Sequence, residues 1–176
     1  MRATLATTVL AAAVLVTLSV AIATATPVVG PRRIAAAVAK AERSSSLWAT
    51  VNICSSRKDP DSIGIRGQMP TLGFQASLSM VIQVDYWSTA TKRFVPIKSS
   101  TATTTLALGR QSTGLQQDGA IFPFKAHTGL LNATVTFTWR RAGTVLGQTT
   151  RRTTGGHPDA DYGSPPHFSA PQCTIK

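Results

Sequence analysis

Acid is what this sequence has least of. Glutamate occurs once, at Glu42, and seven Asp and Glu together stand against 18 Lys and Arg, for a formal charge of +11. Glycoside hydrolysis by the usual route needs two carboxylates facing each other across the scissile bond. Glu42 falls in a connecting segment, Asp59, Asp61 and Asp118 read as turn residues, and Asp85 reads as the solvent face of a strand, so no pair remains. The nucleophile elbow G-x-S-x-G is absent too, which excludes that form of serine hydrolase. Cysteine occurs only twice, with no C-x-x-C to suggest a redox or zinc motif. Aromatic residues make up 6% of the chain. Trp87 is the one strong candidate for an exposed stacking ring. With no recognised motif beside it, nucleic acid is not an expected partner.

What is present begins with the leader. Met1-Arg2 is followed by an apolar run over residues 3–23, and Ala23-Thr24-Ala25 supplies a small-residue cleavage site. Pro27 then stops the helix. Residues 1–25 therefore read as a signal peptide cleaved after Ala25, and the expected location is secreted or extracytoplasmic. The alternative is a membrane anchor through residues 3–23. That run is rich in Ala and Thr, however, and Arg32, Arg33, Lys40 and Arg43 follow it on the side the positive-inside rule would keep in the cytoplasm. Membrane contact is expected only if the leader stays on.

About 150 residues remain, enough for one domain with its own core. Cys54 and Cys173 stand near its two ends. In an exported chain, two lone cysteines are expected to pair, tying the C-terminal tail to the first strand. Closing so long a loop contributes on the order of 4–5 kcal/mol.

Residues 26–46 read as a linker with a short helix starting at Pro31 and running to Glu42, its stripe formed by Ile34, Val38 and Ala41. From Leu47 the period changes to two. Leu47, Ala49, Val51 and Ile53 share one face. Leu78, Met80, Ile82, Val84 and Tyr86 are expected inward, with Ser79, Gln83, Asp85 and Trp87 outward. Pro96 marks an edge strand. A Thr-rich strand covers residues 101–108, and residues 109–119 read as a polar loop. Leu131, Ala133, Val135, Phe137 and Trp139 point inward on a strand that turns at Ala142-Gly143 into residues 144–152. The tail after Gly155-Gly156 carries little periodicity. Residues 47–176 are thus expected to form an all-β antiparallel sandwich of seven to eight strands, immunoglobulin-like in architecture, with a closed barrel as the second choice.

Four stretches carry a resemblance: residues 47–54, Ile63-Gly64-Ile65-Arg66, Phe137-Thr138-Trp139-Arg140 and the late Cys173. On these the chain resembles a class of uncharacterised secreted actinobacterial proteins with a single immunoglobulin-like β-sandwich. The resemblance spans most of the mature chain. It implies a fold and a location, and no activity.

For binding, Arg140 and Arg141 flank the hairpin turn while Arg151 and Arg152 stand at its far end, about 25 Å away. Such a spacing suits a long polyanion better than a compact anion pocket. The expected partner is an anionic cell-envelope polymer or an extracellular protein. His157, Asp159, Asp161 and His167 are the nearest approach to a metal-ligand set, but they lie in a Pro/Gly-rich tail that reads as a solvated loop, and His127 is isolated. No cofactor, metal or catalytic residue is expected. The alternatives are a secreted enzyme with a pocket where His and Asp converge, and a purely structural extracellular module. Asn132-Ala133-Thr134 is a formal glycosylation sequon on the outward face of its strand.

Overall fold

The computed structural model describes residues 28–124 and 129–176. The expected signal peptide and His127 lie outside them. The elements run α1 (Pro31–Glu42), β1 (Trp48–Cys54), β2 (Ser62–Pro70), β3 (Ala76–Ser88), β4 (Arg93–Pro96), β5 (Thr103–Gln111), β6 (Leu115–Pro123), β7 (Gly129–Arg141), β8 (Thr144–Arg152) and β9 (Cys173–Ile175), with a 3-10 turn at Ser100–Ala102. No helix among the described residues is long and apolar enough to cross a membrane.

The strands make two antiparallel sheets, as the period of two predicts. The smaller has the order β1-β2-β6; the larger runs β4-β3-β7-β8, with β5 also on β3 and β9 also on β7. β4 takes residues 85–88 of β3, and β5 takes residues 76–83 of the same edge. β8 and β9 likewise lie end to end on β7. The larger sheet is therefore four strands wide at any level.

The inner faces follow the alternation. Ala49, Val51, Ile63, Ile65 and Met69 of the smaller sheet meet Leu78, Met80, Ile82, Val84, Val135, Phe137 and Trp139 of the larger, all essentially excluded from water. The indole N–H of Trp139 donates to the Pro70 carbonyl at 2.8 Å, so even the largest core ring has its polar atom satisfied. Pro96 and Pro123 both sit on edge strands, where a missing N–H breaks no ladder.

Several expectations need correction. The strands number nine among the described residues, because Cys173–Ile175 pairs with β7. The polar loop expected over residues 109–119 shrinks to Ser112-Thr113-Gly114. β5 runs on to Gln111 and β6 starts at Leu115, and the short link carries the chain from the larger sheet to the smaller. Tyr86, expected in the core, is 43% exposed. β3 has 13 residues and the strands facing it have 7–9, so its end overhangs the smaller sheet. Asp85, expected in water, is only 2% exposed.

Helix α1 lies against the core side of β8. Val38 and Ala41 are buried, and Val38 packs on Gly147, where a Cβ would collide with it. The C-terminal stretch is structured as a strap along the free edge of β1. Val51 and Ala170 exchange two backbone hydrogen bonds of 3.0 Å, Thr154 N–H donates to Ala49, and Ser164 N–H donates to Asn52. The strap covers an edge that would otherwise pair with another chain. Cys54 and Cys173 form the expected disulfide. Since one lies on β1 and the other on β9, the bond joins the two sheets.

Candidate anion-binding face of the larger sheet

The register of the larger sheet places its outward side chains in rows. Arg110, Ser77, Arg140 and Val145 form one row across β5, β3, β7 and β8. Ala107, Ser79, Thr138 and Gln148 form the next, then Thr105, Val81, Thr136 and Thr150, then Thr103, Gln83, Thr134 and Arg152. Hydroxyls and amides fill the field between the arginines and brace one another. Thr136 and Thr150 hydroxyls are 2.9 Å apart, and Gln148 donates to Thr138 at 3.0 Å.

Of the seven acids, Glu42 ends α1, Asp59 and Asp61 lie in the β1–β2 turn, Asp118 is on β6, and Asp159 and Asp161 are in the strap. Only Asp85 belongs to this face, and it is buried. The face therefore exposes positive charge with no exposed carboxylate to neutralise it. The one ion pair among the described residues, Arg66–Asp118 at 3.9 Å, is on the smaller sheet.

At one end of the face, Arg110 and Arg140 both oppose Ser77, one from each neighbouring strand. They line a single cleft of about 360 Å³ together with Ser77, Ser79 and Gly109. Two β-bulges stand at this level, one between β3 and β5 beside Gly109 and one between β7 and β8. Gly109 has a φ of 79°, which a residue with a Cβ adopts only under strain. The extra residue at the bulge restores Arg110 to the outward side.

At the other end, Asp85 and Asn132 are direct cross-strand partners. Both are buried, and the Oδ1 atom of each lacks a hydrogen-bond partner. Burial pushes the Asp85 carboxyl above its ordinary range, and the positive charge of Arg152 only partly opposes that. The Arg152 guanidinium lies 5.9 Å from the centre of the Phe94 ring, and Phe94 meets Trp87 edge to face at 5.2 Å. Pro96 and Asn132 are the cross-strand neighbours of Asp85, and Arg152, whose charge acts on that carboxyl, reaches across to Phe94 of the same edge strand as Pro96. The sequon at Asn132 is outward as expected, but only 3% exposed.

The four arginines read from the sequence divide by parity. Arg140 and Arg152 stand on the outward face. Arg151 turns the other way, and its guanidinium donates to the Glu42 carbonyl at the end of α1 and to Thr149. It holds the helix against β8, where the helix dipole also favours a cation. Arg141 is half-buried, 5.6 Å from the centre of the Phe74 ring. The hairpin therefore offers two arginines to a ligand, and the third is Arg110, which lies on β5 and not in the polar loop expected over residues 109–119. A glycine inside a Thr/Leu strand pattern is a bulge signal, and read that way Gly109 would have carried β5 on to Arg110.

The strap binds its histidines separately. His157 stacks on Trp48 with centroids 4.6 Å apart and bonds Thr154, and burial holds its pKa below the usual imidazole value. His167 Nδ1 bonds the Pro158 carbonyl. Asp159, Asp161, Tyr162 and His167 do line one open cleft of about 330 Å³. No three His, Cys, Asp or Glu side chains among the described residues are grouped to hold a metal ion. Tyr162 is 81% exposed, an aromatic that the reading of Trp87 as the lone stacking ring had missed.

No protein-family model matches the chain, and no curated protein matches it.

Proposed function

We propose that this is an exported, non-enzymatic β-sandwich of immunoglobulin-like type that binds an anionic polymer of the cell envelope on the outward face of its larger sheet. The observation that carries the reading is the charge pattern of that face: Arg110, Arg140 and Arg152 stand over a field of hydroxyls and amides with no exposed carboxylate. The rows of Arg140 and Arg152 are six residues apart along β7, about 20 Å. That separation fits repeated charge along a chain molecule. Export is supported by the leader-like sequence of residues 1–25 and by the disulfide. Cosedimentation with purified cell envelope over a salt series tests the proposal. The expected result is retention at low salt that falls steeply as salt rises, since each neutralised anion releases counterions. Absence of retention at low salt overturns it.

A second reading rests on the strap cleft, which Asp159, Asp161 and His167 all line. A secreted enzyme acting there would lose turnover on Asp161→Asn, and a screen of envelope polymers for hydrolysis is the corresponding assay.

A further inference from the structure

We infer that the cleft between Arg110 and Arg140 is a discrete subsite for one tetrahedral oxyanion, a phosphate or sulfate group. The inference rests on the polyanion reading and says which part of the face grips a single charged unit. Arg110 and Arg140 approach from opposite strands, and each is the direct partner of Ser77. Neighbouring strands lie about 4.8 Å apart, so their Cα atoms are separated by roughly 10 Å with Ser77 between them. That spacing lets a guanidinium group from each position reach one ion held between them. Ser77 and Ser79 line the same cleft.

The donor geometry selects the ligand. A planar carboxylate is satisfied by one guanidinium through two parallel hydrogen bonds. Two guanidinium groups drawn from either side of Ser77 offer donors in more than one plane, which matches four tetrahedral oxygens better than a planar carboxylate. Neither arginine is paired with an acid among the described residues, so no internal carboxylate competes for the cleft. The bulge at Gly109 fixes Arg110 on this face, which gives the cleft a built wall where a regular strand would have turned that side chain inward. Arg152, about 20 Å away and over Phe94, is outside the cleft.

The test uses the chain from residue 26, titrated at low salt with inorganic phosphate, sulfate and acetate, and separately with a phosphodiester polymer and a sulfated polysaccharide. Binding is followed by amide shifts and by calorimetry. The expected result is saturable binding of phosphate or sulfate at least tenfold tighter than acetate, with shifts centred on Ser77, Ser79 and Arg110. Arg110→Ala and Arg140→Ala should each weaken it about tenfold, a loss of the size expected for one charge-assisted contact. Arg152→Ala should leave the small anions unaffected while weakening the polymers. The stronger of the two polymers identifies the source of the oxyanion. If the polymers bind but small anions do not, or if all three substitutions weaken small anions equally, the subsite is overturned and the broader face reading stands. If neither polymers nor small anions bind, both fail. Circular dichroism of each variant guards against misfolding, and Arg→Lys at both positions, keeping charge but losing the fork, should restore polymer binding more fully than phosphate binding.

Discussion

Asp85 is the residue whose environment departs furthest from its local sequence. Its neighbours Leu78, Met80, Ile82 and Val84 obey the period of two, and their burial is legible from the chain alone. Asp85 obeys the same period and points outward, yet it is dry, and its neighbours Pro96, Asn132 and Arg152 come from strands that no local pattern connects to it. Since burial raises its folded-state pKa, the native state holds the proton where the unfolded chain has released it. The native state then binds more protons than the unfolded state, so stability falls as pH rises from the ordinary carboxylate range through the raised value. Asp85→Asn removes that penalty and sets an amide N–H beside the orphaned Asn132 oxygen. It should raise stability at neutral pH by about 1 kcal/mol and flatten the pH dependence. Chemical denaturation of both proteins across acid to neutral pH measures both effects.

Among the elements, the ones sequence reasoning located well are those whose stability is local. The β7–β8 hairpin follows from alternation and from Ala142-Gly143, both at positive φ as a tight two-residue turn requires. The helix follows from Pro31 and the Ile34, Val38, Ala41 stripe. What the pattern leaves out is where the helix lands. Gly147 is the landing point, because only a residue without a Cβ lets Val38 reach β8. Gly147→Val should push α1 off the sheet at a cost of roughly 1–3 kcal/mol, with amide exchange in residues 31–42 rising to that of an isolated helix. The strap was illegible for another reason. It pairs irregularly with β1, through one backbone hydrogen bond each at Ala49 and Asn52 and two at Val51, so it has no period to read. The same holds for part of the candidate site: Arg140, Arg141, Arg151 and Arg152 are legible as pairs at the two ends of the hairpin, but their division between the two faces, and Arg110 behind its bulge, depend on register that the local pattern does not carry.

At the scale of the whole molecule, three features act together. The disulfide joins the two sheets across 119 residues and fixes the end of the strap. Replacing both Cys54 and Cys173 by serine should cost about 4–5 kcal/mol, read from the denaturation midpoint, and leave the larger sheet's face in place if the protein still folds. The strap covers the smaller sheet on its outer side, burying Thr50 and Asn52. Among the described residues one broad sheet face remains uncovered, and it is the one with basic charge and no exposed acid. The most direct test of its role is an NMR titration of the chain from residue 26 with a phosphodiester polymer at low salt. The account predicts amide shifts confined to the outward rows of β3, β5, β7 and β8, from Arg110 and Arg140 to Arg152, and abolished by combined substitution of these three arginines with alanine. Shifts centred on the strap, or binding unchanged in the triple variant, would contradict it.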